Sequence, residues 1–100
     1  MSRFDDEVLA VVAALGPGEV VSYGDVAHDA GCPGAARAAG AVLARCDGSV
    51  PWWRVVYADG HLSPAAPREQ ARRLRAEGVV VRGERVVSAP AGRFSRRPGS

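Results

Sequence analysis

The sequence predicts a mainly α-helical domain carrying one small β-hairpin. Three observations lead there: an apolar stripe at helical spacing near the N-terminus, a helix–tight turn–helix pattern, and two β-branched runs around Arg82-Gly83. One hundred residues with 47% hydrophobic side chains suit a single modest core.

Phe4, Val8, Val11, Val12 and Leu15 share one face of a first helix, with Asp5, Asp6 and Glu7 in its opening turn, where the helix dipole favours acids. Gly16-Pro17-Gly18 ends it. Val20-Val21 is a brief extended piece. Ser22 with Asp25 three residues on reads as the cap of a second helix running to about Ala30. Gly31-Cys32-Pro33-Gly34 is a tight turn, and a third helix runs from about Ala35 to Arg45. A turn at Ala58-Asp59-Gly60 follows, then a fourth helix opened by Pro67 and closed by Gly78. "VVVRGERVV" is a hairpin by its turn chemistry. A helix-turn-helix followed by a hairpin is a winged helix-turn-helix. The expected domain is residues 1–87, with 88–100 ("SAPAGRFSRRPGS") as a disordered basic tail.

No run approaches a membrane span, and the acidic start "MSRFDDEVLA" is unlike a signal peptide, so the expected location is cytoplasmic. Cys32 and Cys46 lack metal-ligand spacing and are expected as free thiols. No metal or cofactor is implied, and a monomer is expected. Residues 1–36 hold one Arg against six acids, and residues 37–100 hold twelve Arg against five acids. Such polarity suits a polyanionic partner, unless much of the positive charge belongs to a solvated tail.

The third helix, "AARAAGAVLAR", puts Val42 and Leu43 on one side, with Ala35, Ala38 and Ala39 extending that face. Opposite them Arg37 is followed by Gly40, Ala41 and Ala44. A minor groove about 6 Å wide admits such a stripe, with Arg37 probing the base stack. The bland alternative is a good helix with a solvated Arg. In "VPWWRVV" (50–56) the two indoles are either core or the wall of a site. Consecutive side chains of an extended segment alternate, so one is expected in each role, Trp52 facing the site and Trp53 away from it.

The segments "GPGEVVSYGDVA", "GCPGAARAAGAVLARC", "VPWWRVVYADGHLS" and "LRAEGV" resemble the DNA-binding domain of O6-alkylguanine-DNA alkyltransferases, and more closely the alkyltransferase-like proteins lacking the reactive cysteine. The resemblance implies a minor-groove-binding winged helix-turn-helix that rotates a damaged guanine into a pocket. By position, Tyr23 matches the tyrosine that crowds the 3′ phosphate, and Arg37 the arginine finger that fills the vacated stack. The implied DNA-binding set is Tyr23, Ala35, Ala36, Arg37, Gly40, Ala41 and Arg45. The implied lesion pocket is Tyr23, Pro51, Trp52, Trp53, Arg54 and Val55.

The family's Pro-Cys-His-Arg motif reads Pro51-Trp52-Trp53-Arg54 here. Alkyl transfer needs a thiolate activated by a neighbouring His, and an indole offers only an N–H donor. Catalysis is therefore not expected. Glu77 matches the glutamate that orients the family's His. With Trp53 in the His place, its expected partner is Arg73, one turn back. Arg45, Arg54 and Arg68 are the expected phosphate contacts. The implied function is non-enzymatic recognition of O6-alkylguanine in double-stranded DNA, flagging it for nucleotide excision repair proteins. A winged-helix transcription regulator without lesion specificity is the alternative.

Overall fold

Ser2 opens helix α1 (Arg3–Ala13), its hydroxyl accepting the Asp5 N–H at 3.2 Å, and Val8 and Val12 form the buried face. The computed structural model describes residues 2–95. After the Gly16–Gly18 turn, strand β1 (Glu19–Ser22) runs directly into helix α2 (Tyr23–Asp29). Ser22 serves both elements. Its hydroxyl accepts the Asp25 N–H and the Asp25 carboxylate accepts the Ser22 N–H, each at 3.0 Å. This reciprocal box fixes where the strand stops and where Tyr23 begins the helix. Helix α3 (Ala36–Arg45) follows a turn in which Gly31 and Gly34 are both left-handed, completing the helix-turn-helix. A 3-10 turn (Trp52–Arg54) then leads into strand β2 (Val55–Val56), helix α4 (Pro67–Ala76), the hairpin β3 (Val80–Arg82) and β4 (Arg85–Ser88), and strand β5 (Ala91–Gly92).

The expected helices and the hairpin are present. A three-stranded parallel sheet, ordered β2-β1-β5, is additional. Val21 pairs with Val55 and Ser22 with Val56, while Glu19 pairs with Ala91 and Val20 with Gly92. Successive residues of a strand face opposite sides, so each Val-Val doublet feeds two cores. Val55, with Val21 beside it, joins Val8, Val12, Val26, Ala39 and Val42 among the first three helices. Val20 and Val56 join Leu62, Ala71, Leu74, Val79 and Val86 under α4 and the hairpin. The sheet is thus the seam between the helix-turn-helix and the C-terminal half.

Residues 88–95 are not the expected tail. Strand β5 pairs with β1, the Arg93 N–H donates to the Val20 carbonyl at 2.9 Å, and Phe94 packs on the second core. Gly92 makes this possible, because its φ is +86° and a Cβ there would collide with the Val20 backbone. Arg93 also reaches Asp25 of α2 at 3.1 Å and the Ala58 carbonyl at 3.3 Å. Residues 96–100 of the expected tail lie outside the described residues. No described helix is long and apolar enough to cross a membrane.

Candidate lesion pocket and nucleic-acid interface

Residues 50–54 set the site. Pro51 takes φ −75° and ψ 69°, and the Arg54 N–H closes onto the Pro51 carbonyl at 3.1 Å, so the two tryptophans sit in a 3-10 turn instead of an extended strand. Successive side chains there diverge by about 120° rather than 180°. The result for the indoles is the separation expected from alternation, reached by another geometry. Their rings stand nearly perpendicular, 87° apart, with centroids at 6.1 Å.

Trp52 lines a cavity of about 210 Å³. Tyr23 from α2, and Gly40, Leu43 and Ala44 from α3, form further walls, with Cys46, Gly48 and Ser63 from the loops beyond. The cavity shares Tyr23, Gly40, Ala44, Ser63 and Ala65 with an adjoining groove that adds Ala36, Arg37, Tyr57 and Pro64. A hole walled by an indole therefore opens onto a trough flanked by one long cation and two tyrosines. At Gly40 a Cβ would sit 3.6 Å from the Tyr23 ring, an ordinary contact, so the glycine keeps the trough open without being required for packing. Burial holds the Tyr23 phenol above its usual pKa, against an opposing effect of Ser63 and with a further push from Tyr57.

Trp53 turns to the second core. Its Nε1–H donates to Glu77 Oε2 at 2.9 Å, and the Arg73 guanidinium lies 4.5 Å from the ring centroid, with that of Arg54 at 5.3 Å. Glu77 is the hub. Arg54 binds its carboxylate through Nη2 at 2.7 Å and Nε at 3.0 Å, and the Gly18 N–H donates to Oε1 at 2.8 Å. Arg54 Nη1 also donates to the Leu15 carbonyl at 2.7 Å. Burial alone would raise the Glu77 pKa, but the bonds from Arg54, Gly18 and Trp53, with the Arg54 charge, hold it down to about 2.

Several sequence expectations change here. Glu77 does not pair with Arg73, which binds Glu69 at 2.7 Å instead. Glu77 lies just past the last turn of α4, so its carboxylate swings across to the 3-10 turn. Of the expected pocket residues, Tyr23 and Trp52 line the cavity, whereas Trp53, Arg54 and Val55 do not. Val55 is fully buried in the first core, and the Arg54 side chain, 12% exposed, is engaged by Glu77 and cannot serve as a phosphate contact. Pro51 shapes the turn without lining the cavity.

Of the expected DNA-binding residues, Tyr23, Ala36, Arg37 and Gly40 line the groove. Ala41 is exposed outside it, Ala35 packs on the first core, and Arg45 pairs with Asp5 at 3.3 Å. Ala38, assigned to the apolar face, is exposed. Arg37 is exposed and makes no hydrogen bond or ion pair among the described residues. Cys32 and Cys46 are both free.

Sequence reasoning missed Gln70. Fully buried on α4, its Nε2 donates to the Trp53 and Val55 carbonyls at 3.1 and 2.9 Å, while Oε1 accepts the Ser63 N–H at 2.7 Å. One amide thus fixes both loops that wall the cavity. A Gln on the apolar face of α4, in step with Ala71 and Leu74, was the available signal.

The expected resemblance is borne out by comparison with known proteins. Residues 3–79 match the family model described as "6-O-methylguanine DNA methyltransferase, DNA binding domain". The chain is 49% identical over 84 residues to the "DNA base-flipping protein" of Escherichia coli K12, covering 80% of this chain but only 65% of that protein. It is 32% identical over 87 residues to "Alkyltransferase-like protein 1" of Schizosaccharomyces pombe, covering 81% of each chain. The crystal structure of S. pombe Atl1 in complex with damaged DNA containing O6-carboxymethylguanine superposes with a TM-score of 0.78 at 27% identity, over 98% of both chains. The chain belongs to the family of the 6-O-methylguanine DNA methyltransferase DNA-binding domain.

Proposed function

We propose that this domain recognises O6-alkylguanine in duplex DNA without accepting the alkyl group. The observation that carries the reading is Trp52. An indole forms the cavity wall at the motif position where transfer would require a thiol, and its cavity opens onto a groove flanked by Tyr23 and Arg37. In this reading α3 enters the minor groove with its small residues Ala36, Gly40 and Ala44 facing the DNA. Tyr23 presses on the backbone, the modified nucleotide turns into the cavity, and Arg37 takes its place in the stack. Turning out a base costs a few kcal/mol, least for a damaged pair, and the stacked guanidinium and the indole offset that cost. Similarity to a base-flipping protein and to a protein bound to damaged DNA supports this.

Since the alkyl group stays on the base, its removal falls to another system, and nucleotide excision repair proteins are the proposed recipients, with a cytoplasmic monomer as the acting species. A sequence-reading transcription regulator is disfavoured because the groove-facing residues of α3 offer almost no side chains that reach base edges.

The test uses a duplex carrying a labelled O6-methyl group. It should bind more tightly than the undamaged duplex, and the label should remain on the DNA. Because Cys46 lines the same cavity, stoichiometric transfer to it would overturn the non-enzymatic reading. Equal affinity for both duplexes would overturn lesion recognition.

A further inference from the structure

Resting on that reading, we propose that Tyr57 is a positioning residue for nucleotide flipping, one that braces the Tyr23 ring at the rim of the groove.

The placement follows from strand register. Ser22 pairs with Val56 at the end of the parallel β1–β2 ladder, so the residues that follow the two strands, Tyr23 and Tyr57, emerge side by side. Their rings lie 5.2 Å apart at centroids, tilted by 58°, a favourable aromatic geometry. Tyr57 is nevertheless 46% exposed, and it lines the same groove as Arg37. This aromatic ring, left half in water beside the candidate interface, belongs to neither core among the described residues.

Its base is rigid. The Tyr57 N–H donates to the His61 carbonyl at 3.0 Å, and its carbonyl accepts the Gly60 N–H at 2.8 Å. Gly60 closes this loop at φ +97°, with a Cβ position only 2.6 Å from the Val86 carbonyl oxygen, so only glycine fits. Arg93 then ties the loop to α2, holding the Ala58 carbonyl with Nε and Asp25 with Nη1. The two tyrosines therefore ride on one braced unit. Of the residues lining the groove, Tyr57 is the one besides Tyr23 that carries an aromatic ring. A tyrosine that must push on a phosphate without yielding needs such a brace, and the energy of holding it is invested before DNA arrives.

The test compares Tyr57→Ala, Tyr57→Leu and Tyr57→Phe with the parent, on O6-methylguanine and undamaged duplexes, reading affinity together with 2-aminopurine fluorescence beside the lesion. The Ala and Leu variants should lose about three- to tenfold in preference for the lesion duplex, the worth of one aromatic pair, and show a smaller flipping signal. Their affinity for undamaged DNA should fall by less than their affinity for the lesion duplex. The Phe variant, which keeps the ring, should behave as the parent. Unchanged lesion preference in Tyr57→Ala, or a parallel loss on both duplexes, overturns the brace. So does a Phe variant as impaired as Ala, which would assign the effect to the hydroxyl. A parent without lesion preference is a different result, and it overturns the proposed function itself.

Discussion

Replacing Glu77 by Gln should destabilise the protein near neutral pH and flatten its response to acid. The substitution removes the charge from a carboxylate that receives Arg54 twice, Trp53 Nε1 and the Gly18 N–H. Both partners are well shielded, the Glu77 side chain 14% exposed and that of Arg54 12%. Two routes give the magnitude. A carboxyl lowered from 4.5 to about 2 is worth roughly 3 kcal/mol at about 1.4 kcal/mol per pH unit. Leaving a buried cation without its partner costs about 3–5 kcal/mol, and the residual exposure here favours the low end. About 2–3 kcal/mol is therefore expected near pH 7. Because the folded-state pKa lies below the unfolded one, this contribution is complete above about pH 4.5 and disappears as the pH falls toward about 2. Urea unfolding followed by tryptophan emission, at several pH values, reads both effects, and Trp53 sits against the altered group. The Glu77→Gln variant should approach the parent as the solution is acidified. A variant within about 0.5 kcal/mol of the parent at neutral pH, or with an identical acid profile, would refute the reasoning.

Three further outcomes follow from the same geometry. Arg37→Ala should cost about 1–3 kcal/mol of binding to lesion DNA, by analogy with truncated stacking groups; equal binding by variant and parent would leave Arg37 a surface charge. Trp52→Ala should fold and lose lesion preference, whereas Trp53→Ala should lose stability on the order of 3 kcal/mol in urea unfolding, and the reverse pattern would exchange the two roles. Deleting residues 89–100 should destabilise the fold on the order of 3 kcal/mol, since Phe94, strand β5 and the Arg93 contacts go with it. Deleting only 96–100, which removes Arg96 and Arg97, should reduce the salt dependence of DNA binding by up to about 0.9 in log–log slope for each Arg removed.

What the sequence made legible, and what it did not, follows the range of the interactions. Helix α1, the capping box at Ser22 and the hairpin at Arg82-Gly83 are written in local spacing, and the structure contains each of them. Strands β2 and β5 are two residues each, too short for any period, and exist only because β1 lies between them. Residues 88–95 read as tail because they open the stretch 88–100, which holds three Arg, two Pro and two Gly, yet Gly92 is the residue that lets the backbone close on Val20. Arg54 read as a phosphate contact because charge was visible and burial was not. Gln70, Tyr57 and Ser63 could not be placed without the register that brings their loops together. Tyr23, Trp52 and Arg37, by contrast, were named from the motifs, and the structure gathers them around one cavity and its groove.

The pair of tryptophans is best understood through the nitrogen each presents. A histidine at position 53 could donate one N–H to Glu77 and keep a second nitrogen free to take a proton from a neighbouring thiol. The indole of Trp53 keeps the first half of that arrangement, donating to Glu77 at 2.9 Å, and has no second nitrogen for the other half. It gains in exchange an extended ring face on which Arg73 and Arg54 lie, joining α4 to the 3-10 turn. Trp52 offers no nucleophile to activate, because its indole N–H is a hydrogen-bond donor too weakly acidic to give its proton to an imidazole and its nitrogen lone pair belongs to the aromatic system. Placing Cys at position 52 alone would therefore put a thiol in the cavity with no imidazole at position 53 to take its proton. Trp53 thus supplies a donor to Glu77 and a ring face for two guanidinium groups, and offers no proton acceptor to its neighbour Trp52.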